Sequence, residues 1–240
     1  MNSNYVLPIT IVVAGALIAG AVFLAGKSAT PTGGTDKPIT VREYTAGVDH
    51  ILGNPNAMVK VVEYMDLECP HCKTFNTTMH QIMSYYGKSG NVAWVQRAFP
   101  LTTIHTKALQ EAHAAECAAD QGGDTAYFAY TDKVFEISPS DNGLDLAQLP
   151  VIAKDIGLDV AKFNTCQSSG KFTKKITASY DEAIKAGAQG TPFTLLMVGK
   201  DSIELSGNQP YESMRAAIDA VLSDSGASAT PAATGTTTTP

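Results

Sequence analysis

Short apolar runs alternate with amphipathic stretches along the middle of the chain. β-Branched or apolar runs predict strands over residues 59–65, 92–95, 193–198 and 202–205. Apolar residues at helical spacing predict helices over residues 70–83, 108–121, 124–135, 146–156, 172–187 and 214–221, with a stop at Gly122-Gly123. The order therefore predicts an α/β fold in which an all-helical subdomain, residues 103–187, is inserted into a domain spanning residues 39–222.

The two ends of the chain have a different composition. Residues 9–26 form an apolar stretch without a charged side chain, and this stretch is long enough for one membrane-spanning helix. We expect residues 1–27 to form an uncleaved signal anchor, with a cleaved signal peptide as the alternative. Residues 28–38 are expected to be a flexible linker and residues 223–240 a disordered low-complexity tail. Lys27, Lys37 and Arg42 would favour a cytoplasmic domain by the positive-inside rule, but the cysteine chemistry below favours the opposite side.

Charge and cysteine content narrow the function classes. The 17 basic and 23 acidic residues leave a net charge of −6, and no basic cluster is present. Because phosphate-binding surfaces are rich in clustered Lys and Arg, we expect no nucleic-acid partner. The 4 cysteines permit two disulfides.

The sharpest motif is Cys69-Pro70-His71-Cys72, which directly follows a predicted strand and opens a predicted helix. The thiolate is the reactive species in disulfide exchange, and a helix N-terminus stabilises negative charge. We expect His71 to lower the pKa of Cys69 further, and Cys72, one turn on, to resolve a mixed disulfide. A zinc site would need further ligands at short spacing, so no metal and no cofactor are expected; a purely structural bridge stays open.

Several further segments accompany this motif. They are Leu52-Gly53-Asn54-Pro55-Asn56-Ala57, Glu63-Tyr64-Met65-Asp66, Phe99-Pro100-Leu101 with His105, Glu116-Cys117-Ala118-Ala119-Asp120-Gln121-Gly122 and Gly190-Thr191-Pro192-Phe193. Together with the motif they resemble the DsbA-like thiol–disulfide oxidoreductases, a thioredoxin-fold family with a helical insertion. The resemblance covers residues 39–222.

The resemblance implies roles for individual residues. Cys69 would be the nucleophile and Cys72 its resolving partner. Glu63 would be a buried acid that relays a proton, although an exposed strand carboxylate is the alternative. Pro192 would be a cis-proline facing the cysteines, and Thr191 would offer its backbone to an extended substrate.

Two residues depart from the family's pattern, and further cysteine, tryptophan and histidine residues have expected positions. Thr191 replaces a valine found in the family, and Glu68 lies beside Cys69; both could make the protein less oxidising. Cys117 and Cys166 are expected to form a structural disulfide, as similar family members carry cysteines there, with free thiols or an auxiliary redox pair as alternatives. Trp94 is expected in the core. Four histidines are expected at the surface or at helix caps: His50, His80, His105 and His113.

The sequence thus predicts a membrane-anchored oxidoreductase that introduces disulfides into exported proteins outside the cytoplasm, in the periplasm or at the cell exterior. Its expected partners are reduced exported polypeptides and a quinone-linked membrane thiol oxidase, and it is expected to be a monomer. A reductase or isomerase of the same fold is one alternative. A non-catalytic anchored peptide-binding module is the other.

Overall fold

The computed structural model describes residues 39–205 and 207–224, which fold around a five-stranded mixed sheet. Its strands are β1 (His50–Gly53), β2 (Val59–Met65), β3 (Val92–Ala98), β4 (Phe193–Val198) and β5 (Asp201–Glu204). The spatial order is β1-β3-β2-β4-β5, so β2 lies at the centre. Only β2 and β3 pair in parallel; the other three pairs are antiparallel.

Six α-helices complete the described part of the chain. They are α1 (Pro70–Tyr86), α2 (Ala108–Ile137), α3 (Leu149–Asp155), α4 (Val160–Ser169), α5 (Thr173–Lys185) and α6 (Tyr211–Asp224). Helix α1 connects the two parallel strands, and α2 to α5 form one helical segment between β3 and β4. The α/β layout with an inserted helical subdomain is the one that the sequence predicts.

The central strand β2 packs on both faces of the sheet. Val61 and Met65 belong to the core that includes α1, α6 and most of the helical segment. Val62 and Tyr64 point to the opposite face, into a second core that contains residues of α5. Because side chains alternate along a strand, Glu63 must share the α1 face with Val61 and Met65. The alternation of side chains along β2 therefore places the Glu63 carboxyl group beneath α1, the helix that begins at the two cysteines.

Helix α2 is long and kinked. It runs over 30 residues, with non-helical backbone angles at Gly122 and Gly123. Gly123 has φ +62°, a left-handed conformation that glycine adopts readily. The predicted stop at this pair is therefore confirmed, because the non-helical angles separate two helical stretches, residues 108–121 and 124–137.

Two elements were not predicted from the sequence. Strand β1 has only four residues, and it pairs with the edge of β3. Helix α4 buries only Phe163 and Cys166, so its apolar periodicity is weak; Asp159 caps its first turn by accepting hydrogen bonds from two backbone N–H groups. Cys166 lies in the second half of α4.

A disulfide joins α2 to α4. The Cys117 and Cys166 sulfur atoms are bonded, with the Cα atoms 5.8 Å apart and 49 residues of sequence separation. Both cysteines are buried in the core that also contains Cys69 and Cys72. The bridge closes a large loop in the unfolded chain and so ties the weakly apolar α4 to α2.

No helix within residues 39–205 and 207–224 combines the length and the apolar character needed to cross a membrane. The expected anchor over residues 1–27 and the linker over 28–38 lie outside the described residues. The same holds for the expected tail, except that α6 extends to Asp224.

We predict that replacing both bridged cysteines, as C117A/C166A, lowers the free energy of unfolding by about 4 kcal/mol, the entropy of closing a loop of this length. The measurement is denaturant unfolding without reductant, with Cys69 and Cys72 replaced by serine in both proteins so that only the Cys117–Cys166 bridge differs. A loss below about 1 kcal/mol would show that the bridge does not constrain the unfolded chain as argued.

Candidate active site

Cys69 lies at the junction between the central strand and α1. It is the N-cap residue of α1, with extended backbone angles, and Pro70 occupies the first helical turn. The Cys69 N–H donates to the carbonyl oxygen of Asp66 at 3.1 Å, which closes the turn after β2. Cys69 is 5% exposed, whereas the side chains of Pro70 and His71 are exposed. The first cysteine is thus held at the helix N-terminus with little of its surface open to solvent.

The surroundings of Cys69 favour its thiolate. The hydrogen bond from the Cys72 thiol, with smaller contributions from the Thr191 side chain and from the backbone N–H groups of Cys72 and His71, lowers the pKa of Cys69 to about 6. Burial acts in the opposite direction and is outweighed. The contribution of His71 to this site comes from its backbone N–H, since its side chain is exposed. Cys69 is therefore largely ionised at neutral pH.

Cys72 has the opposite character. It is fully buried, and burial followed by its hydrogen bond to Cys69 raises its pKa above the ordinary range of a thiol. Both cysteines are free, so the structure represents the reduced dithiol. At neutral pH the N-terminus of α1 therefore carries a thiolate at Cys69 and, one turn later, a protonated thiol at Cys72.

The loop before β4 faces Cys69. The Thr191–Pro192 peptide bond is cis, and the Cys69 thiol donates a hydrogen bond to the Thr191 carbonyl oxygen at 3.4 Å. The structure thus brings Thr191 and Pro192 together with the cysteines, 122 residues apart in sequence. When Cys69 is ionised, this carbonyl oxygen loses its donor and is left facing the sulfur.

Glu63 lies under α1, with 1% of its surface exposed. One of its oxygens accepts hydrogen bonds from the Trp94 indole N–H at 2.9 Å and, at 3.5 Å, from the Gln96 amide; the other oxygen has no partner. Burial raises the pKa of Glu63 to about 8, so the carboxyl group is mostly protonated at neutral pH. When Glu63 ionises, its charge adds to the effect of burial and further raises the pKa of Cys72. The alternative of an exposed strand carboxylate is wrong.

Three of the four histidines expected at the surface or at helix caps, His50, His105 and His113, are instead buried. His50 stacks on Tyr127, with ring centroids 3.7 Å apart, and its Nε2 lies 3.1 Å from Glu116. His113 and His105 are also buried, and His80, which is partly exposed, pairs with Asp132 at 2.7 Å. Each ring has a polar partner contributed by a distant segment, which sequence spacing alone does not reveal.

The His105 ring and the Asp66 carboxyl group form a hydrogen bond close to the cysteines. His105 Nδ1 lies 2.9 Å from Asp66 Oδ2, and that oxygen also accepts the Leu101 N–H at 2.7 Å. Despite burial, the hydrogen bond to Asp66 and the charges of Asp66 and the Cys69 thiolate raise the pKa of His105. Asp66 and His105 were noted in the sequence only as parts of segments, without a role. Glu68, the neighbour of Cys69, is fully buried.

Within the described residues, no group of three or more His, Cys, Asp or Glu side chains is arranged to hold a metal ion. What the site can do chemically is exchange a disulfide. It contains a nucleophilic sulfur at a helix N-terminus, a buried resolving thiol, a buried protonated acid and a backbone carbonyl beside the nucleophile. This combination defines a thiol–disulfide oxidoreductase site.

Comparison with known proteins gives the same class. Residues 45–220 match the thioredoxin family. DsbA2 of Pseudomonas aeruginosa is 26% identical with a TM-score of 0.61, and the match covers 73% of this chain and 96% of that one. Alpha-DsbA1 of Wolbachia pipientis is 26% identical with a TM-score of 0.64, and the match covers 75% of this chain and 96% of that one. BdbD of Bacillus subtilis, at 21% identity and a TM-score of 0.66 over 78% of this chain and 100% of that one, shares the fold.

The chain belongs to the thioredoxin family, within its DsbA-like group of thiol–disulfide oxidoreductases. The predicted thioredoxin-like fold with a helical insertion is therefore confirmed. A curated relative, the Na(+)/H(+) antiporter NhaA 3 of Salinispora tropica, is 32% identical over 148 residues, which is 60% of this chain but 21% of the antiporter. The chain thus spans about a fifth to a quarter of the length of the curated relatives it matches.

We predict that the Cys72 side chain controls the ionisation of Cys69. Cys72→Ala removes the hydrogen bond that lowers the pKa of Cys69 most, so this pKa should rise by at least half a unit. Cys72→Ser retains a hydroxyl donor and is the matched control, with a smaller shift. Thiolate absorbance in the ultraviolet, followed against pH, measures both. Equal pKa values in the wild type and Cys72→Ala would contradict this account.

We also predict that Glu63 makes stability fall as pH rises. The carboxyl group titrates near 4.5 when exposed and near 8 in the fold, so the folded state holds more protons between these values. Glu63 then contributes a decrease in the free energy of unfolding with pH across this window, and Glu63→Gln should make the measured slope more positive by about 1 kcal/mol per pH unit, whatever slope other groups such as Cys69 contribute. Denaturant unfolding at pH 5 to 8 measures this. Exposed Glu212→Gln should leave the slope unchanged; a slope in Glu63→Gln as steep as the wild type's would refute the assignment.

Proposed function

We propose that the protein is a membrane-anchored, extracytoplasmic oxidoreductase that donates the Cys69–Cys72 disulfide to reduced exported polypeptides. The observation that carries this proposal is the opposite ionisation of the two cysteines on one turn of α1. A stabilised Cys69 thiolate favours the reduced form of the protein. A protein that is stable when reduced passes its disulfide on readily.

The reaction begins with the oxidised protein. A substrate thiolate attacks the Cys69 sulfur, the Cys69–Cys72 bond breaks, and its electron pair leaves on Cys72. Because the pKa of Cys72 is high, this sulfur takes up a proton as it leaves. Glu63 faces Cys72 and carries a proton at neutral pH, so it can supply this proton and regain one from water.

The second half of the reaction releases the product. A second substrate thiolate attacks the substrate sulfur of the mixed disulfide, and Cys69 departs as a thiolate. Two substrate thiols are thereby oxidised to a disulfide, and the protein is left with two reduced cysteines. The pKa of about 6 makes Cys69 a good leaving group, which favours release of the oxidised substrate.

The Thr191 carbonyl oxygen is suited to hold the substrate. It lies beside the Cys69 sulfur, just before strand β4 begins at Phe193. An extended polypeptide could donate a backbone N–H to this oxygen as it does when it adds to a sheet edge. Such binding uses main-chain groups, so it suits many substrate sequences.

We also propose a location and partners for the protein. The Cys117–Cys166 disulfide supports an oxidising compartment, and the uncharged stretch over residues 9–26 supports a membrane anchor. Each turnover leaves two reduced cysteines, so an oxidant must restore the disulfide. We propose a quinone-linked membrane thiol oxidase for this step and a monomeric protein.

The test is disulfide transfer to an unfolded protein with two thiols. The full-length chain, oxidised beforehand, is mixed with an equimolar amount of this substrate, and free thiols are counted on both proteins by alkylation and mass spectrometry. We expect the thiols to move from the substrate to the protein. Cys72→Ser should accumulate a mixed disulfide when offered a disulfide substrate, and Cys69→Ser should not.

Other outcomes would favour the rival functions. If the reduced protein instead reduces disulfides and the oxidised protein keeps its own, a reductase or isomerase is the better assignment. If Cys69→Ser binds and retains substrate as the wild type does without any exchange in either, the protein is a binding module. Either result overturns the proposal.

A further inference from the structure

Two buried carboxyl groups meet directly behind the nucleophile. Glu68 precedes Cys69 in the chain, and Glu111 lies in the first turn of α2; both side chains are 0% exposed. One oxygen of Glu68 and both oxygens of Glu111 have no hydrogen-bond donor from the rest of the protein. The two carboxyl groups contact each other instead. Two buried carboxylates in contact repel strongly, so such pairs keep a proton between them.

We propose that Glu68 and Glu111 share a single proton, and that the one negative charge left on the pair opposes the Cys69 thiolate and limits the oxidising strength of the Cys69–Cys72 disulfide. The inference rests on the proposed function only in treating Cys69 as the reacting sulfur. Glu68 and Glu111 act through Cys69 and do not touch the substrate, so both are positioning residues.

The groups that face Glu111 explain why this residue keeps the proton. Burial, followed by the hydrogen bond to Glu68 and the charges of Glu68 and Asp66, raises the pKa of Glu111 to about 9. Lys107 is the cation that acts against this shift, and Tyr130 faces Glu111 from beyond the middle of α2. The Lys107 ammonium is already bound by carbonyl oxygens, including that of Leu144 at 2.5 Å.

Glu68 in turn is held by a separate segment of backbone. Its side chain accepts the Asn142 N–H, and its carbonyl oxygen accepts the Asp141 N–H at 2.9 Å. Ser140, Asp141 and Asn142 have φ values of 65°, 52° and 65°, three successive non-glycine residues in the left-handed region. That conformation is costly for these residues, so contacts such as those to Glu68 must stabilise it. Glu68 thus has a backbone donor, whereas neither oxygen of Glu111 has a hydrogen-bond donor among the described residues.

The negative charge on the Glu68–Glu111 pair raises the free energy of the Cys69 thiolate. A negative charge on the adjacent residue in a dry environment disfavours a second negative charge on the sulfur. It therefore destabilises the reduced form of the protein relative to the disulfide and makes the protein a weaker oxidant. When pH rises past about 9 and Glu111 loses its proton, the opposing charge doubles.

The test compares conservative variants of the full-length chain. Glu68→Gln removes the charge and keeps the size, so we expect the pKa of Cys69 to fall by at least half a unit, a roughly threefold change in ionisation equilibrium. The equilibrium constant against glutathione should shift at least threefold towards the reduced protein. Glu111→Gln resembles the protonated acid, so below pH 8 it should match the wild type. Above pH 8 it should lack the further pH-dependent change.

The control is Glu136→Gln, which removes an exposed charge from the other end of α2 and should change neither quantity. An unshifted pKa of Cys69 in Glu68→Gln would overturn the proposal. A direct measurement needs no substitution: carbon-13 NMR of the glutamate carboxyl groups should show Glu111 protonated at pH 7 and titrating near pH 9. Titration of every glutamate below pH 6, except Glu63, would equally refute it. Because none of these readouts depends on the direction of disulfide transfer, the proposed function can fail while this inference stands.

Discussion

The chemistry depends on how the central strand meets the helix that follows it. β2 ends at Met65, a short turn is closed by the Asp66 carbonyl oxygen, and α1 begins at Pro70 with Cys69 as its N-cap. The first turn of a helix has backbone N–H groups without helical partners, and these groups together with the helix dipole favour an anion. The junction thus turns an ordinary thiol into a nucleophile and fixes where it points.

The second constraint is the alternation of side chains along β2. It places Glu63 on the same face as α1, where the acid is dry and protonated beneath Cys72. On the other side of the junction, Asp66 and Glu68 turn into the protein and meet His105 and Glu111. Four buried acids, Glu63, Asp66, Glu68 and Glu111, therefore lie around one dithiol. Burying acids costs stability, and each of these groups alters the ionisation of a neighbour that takes part in disulfide exchange or lies beside it.

The parts of the structure that could be predicted are those with strong local signals. The strand before the Cys-Pro-His-Cys motif, the helix after it and the helical insertion follow from apolar periodicity and from proline and glycine positions. β1 and α4 could not be found, since four residues carry little pattern and α4 buries only two side chains. The burial of Glu68 and of His105 depends on α2 and the segment after it folding back on the active-site turn, which no local pattern records.

The most direct test of this account is the equilibrium reduction potential of the Cys69–Cys72 pair, measured in the full-length chain across glutathione ratios with alkylation of free thiols. The stabilised thiolate predicts a value well above that of a reductase, between about −200 mV and the −120 mV or so of strong oxidants of this fold. A value near about −270 mV, typical of a thiol reductant, would contradict the central claim that the strand–helix junction makes this dithiol a disulfide donor.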